Sequence, residues 1–338
     1  MPDLPSSQLP VGASPIVTVY GGSGFVGRHI VRRLAKAGYR VRVAVRRVNE
    51  AMFVRPYGAV GQVEPVFCNV RDDDSVRAAA RGATAVVYCV GVLDDVRRNT
   101  MEAVQAEAPG RVARIARDLG VARMVLISAI GADTESESAY ARTKGAGEAA
   151  VLEHMPDATI LRPSIVFGPG DGFFNRFAAM SKLGPVLPVV GAETRFQPVF
   201  VDDVAEAAVM GVQGRASGVY ELGGPDRMTF RELMGEMLHV IQRRRAVVNL
   251  PFPVAMLMAK VFRVVRFLTF GLVPGPITPD QVTNLRSDNV VADDARGFDA
   301  LGIAPTDMDA VLPDYLWRFR PSGQYAEIKN SAKNLRGI

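Results

Sequence analysis

Tyr140 and Lys144 stand four residues apart in "SAYARTKGAGEAAV", so a helix through them places both side chains on one face. A lysine ammonium beside a phenol favours the phenolate, because two charges about 4 Å apart interact by about 4 kcal/mol at an effective dielectric near 20. That coupling would bring a phenol from about 10 toward working pH, as a general acid or base. Ser128, closing the apolar run Arg123–Ser128, is placed to hydrogen-bond a substrate carbonyl. Taken alone, a Tyr–Lys pair on a helix is usually a solvated surface pair, and what precedes it in the chain decides otherwise. His29, His154 and His239 lie far apart, and no Cys/His spacing suggests a ligand set, so no metal site is expected.

These residues need a scaffold, and the chain supplies one in a regular rhythm. Short β-branched runs at Ile16–Tyr20, Arg40–Val45, Val63–Cys68, Ala85–Val90, Arg123–Ser128 and Ala158–Leu161 alternate with helical patterns. The helices are expected at Gly27–Ala37, Asp74–Ala80, Glu102–Leu119 and Tyr140–His154. Near-continuous apolar strands imply a parallel sheet covered on both faces. Strand–helix alternation then gives right-handed crossovers and an α/β, Rossmann-like doubly wound parallel sheet. After Phe167 the rhythm breaks into Gly/Pro-rich loops, returning at Asp202–Gln213 (helix) and Gly218–Leu222 (strand). The expected division is a flexible lead over 1–15, a Rossmann domain over 16–167 plus 201–222, and a C-terminal tail over 323–338. A smaller, discontinuous α/β C-terminal domain occupies 168–200 plus 223–322.

"VYGGSGFVGRHI" places Gly21, Gly24 and Gly27 after the first strand and at the start of a helix. The first glycine permits a tight turn, the second a close backbone approach to a diphosphate, the third close helix–strand packing. The turn Gly21, Gly22, Ser23, Gly24, Phe25, Val26, Gly27, Arg28 therefore forms the expected phosphate cradle of a dinucleotide, at the positive end of a helix. The second strand should end near the adenosine ribose, where an NAD binder usually carries an acid. This chain has Arg46 and Arg47 there, and no acid until Glu50. A guanidinium favours a 2′-phosphate through charge-assisted bonds worth about 1.5–3 kcal/mol each, so NADP(H) is the expected cofactor. Asn69 and Val70, after the third strand, would border the adenine, and Val90 and Gly91, after the fourth, would line the cofactor.

With these pieces in place, the chain resembles the extended short-chain dehydrogenase/reductase superfamily, in its epimerase/dehydratase branch. The matching segments are "VYGGSGFVG", "VLISAIGAD", "YARTK", "LRPSIVFGPGD" and "VFVDDVAEA". The resemblance implies that Ser128, Tyr140 and Lys144 occupy both catalytic and cofactor-binding positions, and that Pro163, Ser164, Ile165 and Val166 flank the nicotinamide. The twelve-residue step from Ser128 to Tyr140 is about half the interval of sugar-nucleotide epimerases, and Ala129 and Ile130 follow the serine. A cofactor site with a thinned catalytic site is implied. The segments "FGPGDGFFNRFAAMSKLGPVLPVVG", "RFQPVFVDDVA" and "LPFPVAMLMAKVFRVV…PGPITPDQVTNLRSDNVV" narrow the resemblance further. They look like the NADPH-binding accessory subunit of respiratory complex I, in a bacterial form without a mitochondrial presequence. This implies a non-catalytic member of an oxidoreductase superfamily that holds NADPH and docks on the peripheral arm, on the cytoplasmic side of the bacterial inner membrane. The alternatives are an active NADP-dependent reductase or epimerase/dehydratase, and a module whose partner affinity follows the NADPH/NADP⁺ state.

The 338 residues carry a net charge of +5, compatible with an anionic ligand, membrane surface or acidic partner. Cys68 and Cys89 make no disulfide framework, which fits a reducing compartment. No interleaving of aromatic and basic residues suggests nucleic-acid binding. Ala246–Ala259 is uncharged, and Lys260, Arg263 and Arg266 then punctuate "KVFRVVRFLTFGLVPG". Three cations at about 2.5–3.5 kcal/mol each argue against crossing a bilayer. A helix over 250–275 lying against an anionic membrane surface, or packed on its own domain, is the expectation.

Overall fold

The computed structural model describes residues 14–95, 98–269, 275–321 and 323. Most of the expected lead and tail, and residues 270–274 of the basic segment, lie outside the described residues. In chain order the elements are β1 (Ile16–Tyr20), α1 (Phe25–Lys36), β2 (Arg40–Val45), β3 (Val63–Phe67), α2 (Asp73–Ala80), β4 (Ala85–Tyr88), α3 (Ala108–Asp118) and β5 (Arg123–Ile127). Then come α4 (Ala139–His154), β6 (Thr159–Pro163), β7 (Val166–Phe167), α5 (Phe173–Met180), β8 (Val186–Val190), β9 (Arg195–Phe196), β10 (Val199–Phe200), α6 (Val201–Gln213) and β11 (Gly218–Leu222). The chain continues through β12 (Met228–Thr229), α7 (Phe230–Val240), β13 (Ala246–Leu250), α8 (Phe252–Leu268), α9 (Pro279–Asn284) and α10 (Met308–Leu316).

Seven parallel strands form the main sheet in the order β11-β6-β5-β4-β1-β2-β3. Because period-2 alternation sends successive side chains to opposite faces, each strand feeds two cores. Tyr20, Ala44, Tyr88, Leu126 and Ile160 face the layer of α2, α3 and α4. On the other face Val19, Val43 and Val31 of α1 all crowd Gly22, and Val125 lies beside Gly211 of α6. Both faces are covered, which is why the strands read as apolar runs. Two buried tyrosines pin helical layers to the sheet: Tyr20 Oη donates to Val76 O at 3.1 Å, and Tyr88 Oη to Val104 O at 2.6 Å. Asp72 caps α2 by accepting from Ser75 N–H at 2.8 Å.

The chain divides into two compact units, residues 1–163, 201–222 and 291–304 in the first and 164–200, 223–290 and 305–338 in the second. Two placements differ from expectation. Residues 164–167 belong with the second unit because Val166–Phe167 pairs with Val199–Phe200 rather than with the main sheet. Residues 291–304 return to the first unit, where Ala292 N–H donates to Glu221 Oε2 at 3.0 Å and Glu221 N–H to Arg296 O at 2.9 Å. The second unit has its own core, with Phe167, Phe174, Leu187, Phe196, Leu233 and Leu312 among its buried residues. Thr229 and Glu232 close a capping box at the start of α7. The uncharged Ala246–Ala259 stretch is not one helix: Ala246–Leu250 pairs in parallel with β8, and Pro251 separates it from α8.

Candidate functional site

The strand order reverses between β1 and β4, and in such sheets a ligand lies beyond the carboxyl ends of the strands at that point. There the chain turns through Gly21 at φ +75°, a left-handed value that a side chain would strain. Gly21 N–H donates to Ala44 O at 3.0 Å and Gly24 N–H to Gly21 O at 2.9 Å, closing the turn. A Cβ on Gly27 would sit 2.4 Å from Gly21 O, so only glycine lets α1 approach the turn so closely. Gly24 is the N-cap of α1, with neither a capping side chain nor an acid in the first turn. The positive end of the helix, about half a charge, is thus left for an external anion. The residues present fit a dinucleotide diphosphate.

Arg46 and Arg47 follow β2 and are both exposed. Arg47 pairs with Glu50 at 2.8 Å, but with side chains 76% and 66% exposed the pair is worth under about 1 kcal/mol, so a phosphate can displace it. Arg28 lies over the Phe25 ring, 5.6 Å from its centroid. Its neighbour His29 is held neutral: burial first, then Arg28, lowers it to about 4. Asn69 is committed to its own turn, its N–H donating to Ser75 Oγ at 2.9 Å and its Oδ1 accepting from Arg71 N–H at 3.3 Å. Val70 is buried in the core. Val90 borders the turn, its Cγ2 lying 3.0 Å from where a Cβ on Gly21 would be. Gly91 reaches the Tyr–Lys helix: a Cβ there would be 3.7 Å from Lys144 Nζ. Gly21, Val90, Gly91 and Lys144 therefore converge.

Helix α4 carries the pair on one face as expected, with Lys144 Nζ 5.9 Å from the Tyr140 ring centroid. The electrostatics run against expectation. The lysine lies over the ring, and burial pushes the phenol up to about 12. Burial also pushes the Lys144 amine down to about 8, against the opposing pull of Glu148 and Cys89. Lys144 Nζ donates to Ile127 O at 3.0 Å. Tyr140 is thus a neutral phenol at pH 7, suited to giving a proton rather than taking one.

Ser128 also departs from expectation. Its hydroxyl, 4% exposed, donates to Glu148 Oε1. Glu148, one turn beyond Lys144, is itself held by Arg162, with Nη2 at 2.6 Å from Oε2 and Nε at 3.0 Å from Oε1. Glu221 adds a second carboxylate to Arg162 at 3.6 Å. This network turns the serine hydroxyl toward Glu148, where its place at the end of the fifth strand predicts that it meets a substrate carbonyl. Pro163, at the end of β6, accepts from Ile130 N–H at 3.1 Å. Within the second unit, Ser164 Oγ donates to Asn289, 2.7 Å from its Oδ1. Ile165 O accepts from Val199 N–H at 2.9 Å, and Val166 pairs with Val199.

Gln105 was not foreseen. The helix expected over Glu102–Leu119 opens with a π-helical stretch, Glu102–Glu107, before α3. Such turns, with an extra residue in the ring, often mark functional sites. Gln105, 2% exposed, accepts from Val92 N–H at 3.0 Å and donates to Thr143 Oγ1 at 3.2 Å. It ties the Gly91–Val92 loop to the residue before Lys144. A glutamine inside an apolar helix pattern was the available signal.

Residues 17–223 match the NAD dependent epimerase/dehydratase family. The chain belongs to that family. Among its relatives, the chain is 34% identical over 320 residues to the Arabidopsis thaliana protein named NADH dehydrogenase [ubiquinone] 1 alpha subcomplex subunit 9, mitochondrial, covering 91% of this chain and 79% of that one. It is 32% identical over 243 residues to the ceramide reductase of Caulobacter vibrioides, covering 71% of this chain and 75% of that one. A UDP-glucose 4-epimerase of Thermus thermophilus, solved in complex with NAD, shares the family's fold at a TM-score of 0.67 and 20% identity, over 91% of this chain and 99% of that one.

Proposed function

We propose that this chain is an NADPH-holding accessory subunit of a proton-pumping NADH:quinone oxidoreductase, bound peripherally at the cytoplasmic face of a bacterial inner membrane. The observation that carries the proposal is the glycine turn closed at Gly21 and Gly27, together with a Ser128 hydroxyl that Glu148 already holds. Likeness to the Arabidopsis subunit over 91% of the chain supports it. The Gly21–Gly27 turn would hold the diphosphate, Arg46 and Arg47 the 2′-phosphate, and Val90, Gly91 and Lys144 the nicotinamide half. When bound, the nicotinamide supplies hydride chemistry; the chain's own residues orient it and exclude water. A nucleotide present at about 1,000 times its Kd adds about 4 kcal/mol to folding, so holding without turnover is a sufficient role.

The second reading is an active NADP-dependent reductase; likeness to the Caulobacter ceramide reductase and the Tyr140–Lys144 pair are what support it, and the fuller coverage by the Arabidopsis subunit keeps it second. Mild-detergent capture of the tagged chain separates the two. The proposal expects quinone-oxidoreductase subunits with NADPH bound to the chain. Capture of none of those subunits, together with NADPH-dependent carbonyl reduction lost in Tyr140→Phe, would replace the first function with the second.

A further inference from the structure

Helix α8 presents the opposite of a normal globular pattern. Its buried positions are two alanines, Ala255 and Ala259, in a small cluster with Val190 and Val282. Its larger apolar side chains face outward: Val254 is 46% exposed, Leu257 65%, Met258 36%, Val261 52%, Val264 57% and Leu268 68%. At 100° per residue these six fall within an arc of about 120°, a continuous stripe about 21 Å long at 1.5 Å per residue. Scattered exposed leucines need no explanation, but a contiguous apolar stripe does.

The helix contains no acid, and its three cations are Lys260, Arg263 and Arg266. Lys260 and Arg263 are exposed, while Arg266 is only half-exposed. By the same helical geometry Lys260 borders the stripe and Arg263 lies beyond it, so a helix lying flat carries its aliphatic groups below and its cations at headgroup level. No helix among the described residues is long and apolar enough to cross a membrane. The stripe has no Trp, Tyr or Arg of the kind that anchors protein interfaces. We propose that the Val254–Leu268 stripe docks on an anionic bilayer surface, with the aliphatic side chains inserted and Lys260 and Arg263 against lipid phosphates. This rests on the exposed face of α8 alone and not on the accessory-subunit proposal.

The test is co-sedimentation of the full chain with vesicles of phosphatidylcholine alone and of phosphatidylcholine mixed with phosphatidylglycerol. The wild type is expected on the mixed vesicles and in solution with the neutral ones. Lys260→Gln with Arg263→Gln should weaken binding about thirtyfold, at about 1 kcal/mol per cation. Leu257→Asp with Val261→Asp should abolish it, and an unchanged far-UV circular dichroism spectrum and urea midpoint confirm that both variants are folded. The proposal fails if the wild type ignores anionic vesicles, or if either pair of substitutions leaves binding unchanged. It also fails if the wild type is a dimer that these substitutions dissociate without affecting lipid binding. Because no oxidoreductase is present, failure here leaves the capture experiment untouched.

Discussion

Replacing Lys144 by methionine should make the protein more stable at neutral pH, and less stable in strong base. Lys144 is 8% exposed, and its Nζ donates to Ile127 O at 3.0 Å. The fall from its ordinary 10.5 to about 8 corresponds to about 3 kcal/mol, at about 1.4 kcal/mol per pH unit. The folded-state pKa is depressed, so below pH 8 folding carries the whole cost of the buried ammonium. Between pH 8 and 10.5 the unfolded chain still binds the proton while the folded chain has released it, and wild-type stability rises across that window. Lys144→Met removes the cost together with a hydrogen bond worth about 1 kcal/mol. At pH 7 the variant should therefore gain about 2 kcal/mol, raising Tm by about 4–8 °C for a unit of this size. The sign should reverse before pH 10.5, where only the lost hydrogen bond remains. Thermal melts of nucleotide-free protein near pH 7 and near pH 10 measure both ends. A variant that is less stable at pH 7, or a difference independent of pH, would refute the view of Lys144 as a cation kept for function against its own solvation cost.

Gly27→Ala should prevent both close packing and NADPH binding, because the new Cβ would press on Gly21 O; melts should fall by about 1–3 kcal/mol and calorimetry should show no binding. Glu148→Ala should cost about 3 kcal/mol by leaving Arg162 with only its longer Glu221 contact, and Glu148→Gln distinctly less, as read from urea unfolding. Arg46→Ala with Arg47→Ala should lower NADPH affinity at least about tenfold and leave NADH affinity unchanged, since the arginines act on the 2′-phosphate alone.

The sheet was legible because its inner strands are buried on both faces and so read as apolar runs between turn signals, whereas the edge strand β3 exposes Glu64 and Phe67. Ile16–Tyr20, Arg40–Val45 and Gly218–Leu222 fall where the pattern puts them. The glycine turn was legible because close backbone approach leaves glycine no substitute at Gly27. What escaped the sequence was set by long-range partners. Its place at the end of an apolar run marked Ser128, but not that Glu148 and Arg162, twenty and thirty-four residues on, would claim its hydroxyl. Spacing also put Lys144 on the tyrosine's face, but whether it lowers the phenol depends on where Nζ points, and here it lies over the ring. The Ala246–Ala259 stretch was ambiguous for a different reason: with no charge and no clear period, only pairing with β8 makes its first half a strand.

The central claim is that the Gly21–Gly27 turn and the arginines after β2 together hold a phosphorylated dinucleotide. Calorimetric titration of nucleotide-free protein with NADPH and then NADH tests it most directly. One site per chain should take NADPH at least about tenfold more tightly than NADH, the equivalent of one charge-assisted bond. Folded protein that binds neither nucleotide, or binds both equally, would contradict it.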